Sequence, residues 1–355
     1  MSRFLSERYA SLAPYVPGEQ PRDKQYIKLN TNESPYPPSH EVIAAVGREE
    51  MADLRLYSDP DCKVLKEKLA ARYGVKSENV YLSNGSDDIL SFAFMAYCAD
   101  GRKAVFPAIS YGFYKVFAEL YHTDAHMIPL KEDFTIDYRD YCGVDAAVIL
   151  ANPNAPTGLA LSVDEIEAIV KSNHDHVVVI DEAYVDFGAE TCLPLIHRYD
   201  NLLIVRTYSK SRAMAGARLG FALASEGLID DLNRLKFSTN PYNVNRLTLI
   251  AGAAAIDSDA YFMNNCKRIV TTREKTAKAL TAIGFTAIPS KANFLFAKHP
   301  KVDGKEIYVN LKRKGVLVRH FDTPRLSAYN RITVGSQAQM EVLLEKLAEI
   351  LEELQ

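Results

Sequence analysis

A continuous apolar run, Val177-Val-Val-Ile180, ends in an acid, Asp181, and this junction limits the possible folds more than any other stretch of the chain. Residues that are apolar without alternation must be buried on both faces, which is the condition of a strand inside a parallel sheet. Asp181 then stands at the strand's carboxyl end, the edge where open α/β sheets gather ligands. Similar strand-like runs lie at Val80-Tyr-Leu82, near 103–106 and 125–128, at Ala146-Ala-Val-Ile-Leu150, and at 202–206 and 219–223. Helix-period segments near 62–73 and 86–98 fall among them. The alternation, from about residue 40 onward, predicts an α/β fold with a mostly parallel sheet covered by helices.

Residues 1–30 carry Pro14, Pro17, Gly18 and Pro21 among polar neighbours and read as an extended arm. Residues 31–250 are the expected large domain. Residues 251–355 hold a long helical stretch near 257–283, strand-like runs at 292–296, 316–319 and 331–334, and a closing helix from 337, which predicts a smaller α+β domain. A chain of 355 residues has room for both.

Other classes are disfavoured by composition. A formal net charge of −3 offers no basic face to nucleic acid, and no run is apolar enough to span a membrane. The N-terminus lacks the apolar core of a signal peptide. The five cysteines are scattered without CxxC spacing, which argues against a disulfide framework or structural zinc, and His174-Asp-His176 reads as a solvated turn; no metal is expected. A cytoplasmic location follows as the expectation.

Lys210 lies in Arg206-Thr-Tyr-Ser-Lys-Ser-Arg212, directly after a short apolar strand. A lysine amine after one strand and a carboxylate at the end of another are what pyridoxal 5'-phosphate (PLP) needs: the amine holds it covalently, and the acid keeps its ring nitrogen protonated. Asn84-Gly-Ser-Asp-Asp88 lies between a strand and an apolar helix, so the backbone N–H groups of Gly85, Ser86 and Asp87 can face a phosphate. Arg218 can clamp the same anion. Ala151-Asn-Pro-Asn-Ala-Pro-Thr-Gly158 is a tightly determined turn, with a cis bond expected before Pro153 or Pro156, and its amides suit the phenolate oxygen of a cofactor ring. Tyr184 can reach that oxygen, and Tyr111 offers a flat face for a pyridine ring.

Together these motifs resemble the fold-type I PLP enzymes of the aminotransferase class I/II group, most closely the histidinol-phosphate aminotransferase family. The resemblance spans nearly the whole chain, and its more specific marks are Leu29-Asn-Thr-Asn-Glu-Ser-Pro-Tyr36 and Leu12-Ala-Pro-Tyr-Val-Pro-Gly18. It implies that Lys210 is the Schiff-base lysine and proton carrier, Asp181 the pyridine-nitrogen partner, Tyr184 the donor to the ring oxygen and Tyr111 the stacking group. Ser86, Asp87, Ser209 and Arg218 would hold the phosphate, joined by Tyr57 from a neighbouring subunit, which implies a homodimer with shared sites. Arg331 matches the carboxylate-binding arginine, Arg319 the arginine associated with a phosphate-bearing substrate, and Tyr15 would close over that substrate.

One position departs from the family pattern. Ala155 stands where asparagine usually precedes Pro-Thr-Gly, and Asn154, one residue earlier, is the expected substitute. The implied reaction is transamination between L-histidinol phosphate and 2-oxoglutarate, in histidine biosynthesis. Aromatic amino-acid aminotransferases and threonine-phosphate decarboxylases share the ring-binding residues and are the nearest alternatives; a non-catalytic PLP-binding module is an alternative of another class.

Overall fold

The computed structural model describes residues 4–6, 9 and 12–354, so part of the expected arm lies outside the described residues. The first strand, β1 (Ile27–Lys28), leads into the segment that carries Asn30 and Asn32. Seven strands then build the large sheet: β2 (Val80–Ser83), β3 (Lys103–Pro107), β4 (Asp124–Ile128), β5 (Ala147–Ala151), β6 (Val178–Asp181), β7 (Leu202–Thr207) and β8 (Gly220–Ala224). Their order is β2, β8, β7, β6, β5, β3, β4. Pairing is parallel from β7 to β4, whereas β8 runs antiparallel to both β7 and β2.

The apolar runs are continuous because each face of this sheet has its own core. Along β5 and β6, Val148, Leu150, Val178 and Ile180 enter one apolar cluster, while Ala147, Ile149 and Val179 enter the other. Alternate side chains of a strand point to opposite faces, so both sets must be apolar. The parallel register brings Ala151, Asp181 and Val205 side by side at one edge, with Thr207 opposite Gly220 and Gly220 opposite Ser83. The loops bearing the predicted chemistry therefore open at a common edge.

A second sheet of four antiparallel strands contains β9 (Thr286–Ile288) and β10 (Phe294–Lys298); beyond them, β11 (Val316–Leu317) pairs with β1, and β12 (Arg319–His320) and β13 (Tyr329–Thr333) complete the four. The single strand expected at 316–319 is thus two. Val316 and Leu317 pair in parallel with Ile27 and Lys28, then Arg319 and His320 pair with Arg331 and Asn330. The helix Asp259–Ala282 packs here with Gln337–Glu353, and Leu29 joins Leu295, Ile332 and Leu347 in one apolar cluster. No described helix is long and apolar enough to cross a membrane.

Candidate active site

Asp181 is 5% exposed, and both its oxygens are engaged: Oδ2 accepts from the Tyr114 hydroxyl at 3.1 Å and Oδ1 from the Ala183 N–H at 3.1 Å. Burial pushes its carboxyl up to about 6, although both hydrogen bonds pull the other way. The next residue, Glu182, serves a different purpose. It takes two hydrogen bonds from Arg206, at 3.0 and 2.7 Å, and one from the Cys192 N–H at 2.7 Å.

Lys210 extends from the loop after β7, and its Nζ donates to the Thr31 carbonyl at 3.2 Å while lying 5.9 Å from the centre of the Tyr184 ring. Desolvation, reinforced by the charge of Arg331, lowers its amine to about 8. Tyr184 packs edge-on against Phe294, and its hydroxyl accepts from Asn32 Nδ2 at 3.0 Å. That leaves the Tyr184 hydrogen available to donate. Asn32 has a left-handed backbone, φ 56°, a conformation that asparagine tolerates better than most residues.

The anion cradle combines β2, β8 and the helix Ser86–Tyr97. Gly85 precedes that helix with φ 88°, and a Cβ there would come within 2.9 Å of the Arg218 guanidinium. A Cβ on Gly220 would meet the Gly85 carbonyl carbon and the Ser86 nitrogen at 2.5 Å. Glycine at both positions keeps the helix terminus open beside Arg218. The Gly85 N–H donates to the Ser83 carbonyl at 2.8 Å and so is not free for an anion, contrary to expectation, while Ser86 and Asp87 open the helix. Arg218 donates to Asp87 at 2.9 Å, and the Tyr111 hydroxyl donates to the same carboxylate at 2.6 Å. Ser209 is buried nearby along the Lys210 loop and bonded to Thr207 at 3.0 Å.

Asn154 departs from expectation. Its Nδ2 hydrogens go to the Ile109 carbonyl at 3.1 Å and to Thr157 at 3.2 Å, and its Oδ1 accepts from Ser110 at 2.7 Å. With both N–H groups committed to holding the turn, Asn154 has no donor left for a ring oxygen. The peptide bonds before Pro153 and Pro156 are both cis.

Two arginines border the opposite side. Arg331 donates to the Asn30 carbonyl at 3.1 Å, faces Phe294 and Phe321, and has a buried Nε without a partner. Burial lowers its pKa, so an incoming carboxylate would recover interactions the protein itself does not supply. Arg319 donates to the carbonyls of Val16 and Pro17 at 3.2 Å each. Tyr15 stacks on Phe113 at 4.2 Å and lies 6.3 Å from Tyr111. Tyr57 is 78% exposed and stacked on Tyr242 at 4.5 Å.

Asn32, Thr31 and Tyr114 complete this constellation without having been singled out from the sequence. Asn32 sits inside the Leu29–Tyr36 motif and Tyr114 lies three residues after Tyr111, so both had a signal in their setting. Thr31 contributes only a carbonyl, for which sequence carries none.

Two full-length relatives share the chain's sequence throughout. The histidinol-phosphate aminotransferase of Brachyspira hyodysenteriae is 47% identical over 352 residues, covering 99% of both chains. That of a Marinomonas species is 50% identical over 350 residues, covering 98% of this chain and 99% of the relative. In three dimensions, the chain is similar to the Sinorhizobium meliloti histidinol-phosphate aminotransferase crystallised with pyridoxal-5'-phosphate: TM-score 0.88, 24% identity, each chain fully covered. The family model for aminotransferases of class I and II matches residues 24–347, and the chain belongs to that family.

Proposed function

We propose that this chain is a PLP-dependent aminotransferase that moves the amino group of L-histidinol phosphate to 2-oxoglutarate, as a step of histidine biosynthesis. The observation that carries this reading is the Lys210 amine, desolvated and held between the Thr31 carbonyl and the Tyr184 ring, on the same sheet edge as buried Asp181. The glycine-lined helix terminus beside Arg218 suits the cofactor's phosphate, and the names of the full-length relatives support the substrate. When bound, PLP supplies an electron sink for the charge that develops at the substrate Cα.

The chain's own residues do the rest. Asp181 would pair with the cofactor's ring nitrogen and keep it protonated, its carboxylate being held by Tyr114 and the Ala183 N–H. Tyr111 covers one ring face, and Tyr184, oriented by Asn32, donates to the ring oxygen. Ser86, Asp87, Ser209 and Arg218 surround the phosphate. Lys210, whose amine desolvation lowers to about 8, would be the base that takes and returns the substrate's Cα proton when the cofactor is bound. Arg331 receives the carboxylate of glutamate, and Arg319 the phosphate of the other donor, with Tyr15 closing over it.

We read residues 31–250 as the large cofactor-binding domain, 251–355 as the small domain and 1–30 as an arm; the two separate sheets support a two-domain division, while the helix Arg246–Asp257 crosses the boundary and its Ala251 and Ala255 pack in the core of the large sheet. We further read the protein as a cytoplasmic homodimer in which Tyr57 serves the partner's site; its exposure supports that role. The test is to follow the absorbance of PLP-loaded protein while adding L-histidinol phosphate or L-phenylalanine. Conversion to the amino form of the cofactor at low concentrations of the phosphate ester is the expected result. Preferential conversion by phenylalanine would move the assignment to the aromatic enzymes, and failure to load PLP would remove the cofactor.

A further inference from the structure

The stretch from Tyr15 to Glu19 touches almost every part of the site's substrate side. Tyr15 stacks on Phe113, and the Val16 and Pro17 carbonyls accept from Arg319. Gly18 lies so close to Thr31 that a Cβ would come within 2.5 Å of the threonine methyl, and the Thr31 carbonyl is the one that accepts from Lys210. The Glu19 carbonyl accepts from Asn30 Nδ2 at 2.9 Å, while the Asn30 carbonyl accepts from Arg331 at 3.1 Å. One short segment thus reaches both anion-binding arginines.

Extended chain without a ladder partner holds its place only through such tethers. The charged one is the side chain of Glu19. One of its oxygens accepts from Tyr308 and the other from Lys312, and both donors project from the helix Gly304–Arg313 at i and i+4, a spacing that puts them on one face. Burial pushes the Glu19 carboxyl up, but the Lys312 and Tyr308 bonds outweigh it and hold the group below its ordinary value. Tyr308 also stacks on His320 at 5.8 Å, beside Arg319 in β12. The clamp and the arginine are therefore braced by the same short piece of structure.

We propose that Glu19 is a positioning residue for the phosphate-bearing substrate: clamped by Lys312 and Tyr308, it fixes the arm, and the arm's Val16 and Pro17 carbonyls aim the Arg319 guanidinium. A guanidinium has five N–H donors in a rigid fork. Two are taken by the arm, and the plane they define directs the remainder toward an anion. Glu19 touches neither substrate nor cofactor, and it acts through the backbone it anchors. The inference rests on the reading of Arg319 given under Proposed function.

The experiment compares wild type, Glu19→Ala, Lys312→Met and Glu19→Gln as PLP-loaded protein, measuring kcat and KM separately for L-histidinol phosphate and for glutamate. Glu19→Ala and Lys312→Met are expected to raise KM for the phosphate ester by roughly tenfold or more, the cost of a misaimed binding group. Glu19→Gln, whose single amide oxygen can still accept from one of the two donors, should recover part of that loss. KM for glutamate should rise clearly less than KM for the phosphate ester, since the arm reaches Arg331 only indirectly through Asn30, and the absorbance of the bound cofactor should stay as in wild type, unlike in a general loss of fold. An unchanged KM for the phosphate ester in both Glu19→Ala and Lys312→Met, or an equal loss for both substrates, would overturn the clamp while leaving the enzyme's assignment standing. Should wild type itself fail to turn over L-histidinol phosphate, the functional reading fails first and the clamp with it.

Discussion

Asp181 and Glu182 are neighbours in sequence with opposite duties, because alternate residues of an extended chain face opposite sides. Asp181 looks into the site and Glu182 into the Arg206 pair beneath it. Without cofactor, Asp181 loses its proton near 6 instead of 3.8, so its contribution favours folding below the lower value and is lost as pH rises through the higher one. Asp181→Asn is therefore expected to stabilise the cofactor-free protein at pH 8 by on the order of 1–3 kcal/mol while weakening PLP binding; paired thermal melts with and without PLP would reveal both. Lys210 gives a second pH signature. Capture of PLP needs the neutral amine, so the loading rate of cofactor-free protein should climb as pH approaches about 8 and level off above it. Replacing Arg331 by Gln, which removes a cation acting on that amine, should move the midpoint upward in the same absorbance assay. The titratable members of the site were legible in the sequence because their chemistry demands particular residue types. The roles of Tyr114 and Asn32 were not, since each acts on a group far along the chain, at |i−j| of 67 and 152, and only folding creates those pairs.

Strands with two buried faces were the most legible elements: β5 to β8 lie within one or two residues of the positions their apolar runs indicate. Very short strands were less so. β1 has two residues, too few for any periodicity, and is defined by its pairing with β11, which falls inside the run read at 316–319. The break at Ser258, where Arg246–Asp257 ends and Asp259–Ala282 begins, carries no proline or glycine to announce it. The close approach of β8 to the helix Ser86–Tyr97 yields a prediction of its own. Gly220→Ala places a methyl 2.5 Å from two backbone atoms that cannot rotate away, so the cradle must open. The expected outcome is a stability loss of about 1–3 kcal/mol and a PLP affinity lowered by roughly tenfold or more, measurable by denaturation and by fluorescence titration.

For the whole molecule, the decisive question is where Tyr57 works. Around it in sequence lie Met51, Leu54, Leu56 and Val64, all exposed apolar side chains, which suits a face covered by a second copy. If the sites are shared, Tyr57→Ala and Lys210→Ala proteins, each nearly inactive alone, should regain roughly a quarter of wild-type activity after being unfolded and refolded together, because half the dimers then hold one intact site. No recovery on mixing would assign Tyr57 to its own chain's surface. The pairing of β1 with β11 has a further consequence, in time instead of space. Ile27 and Lys28 leave the ribosome early, yet their partners Val316 and Leu317 emerge almost a whole chain later. Until then Leu29 lacks the apolar cluster it belongs to, and Thr31 has nothing to hold its carbonyl against Lys210. The growing polypeptide can form most of its large sheet during synthesis, but the Thr31 carbonyl that accepts from Lys210 is fixed in place only when translation is nearly over.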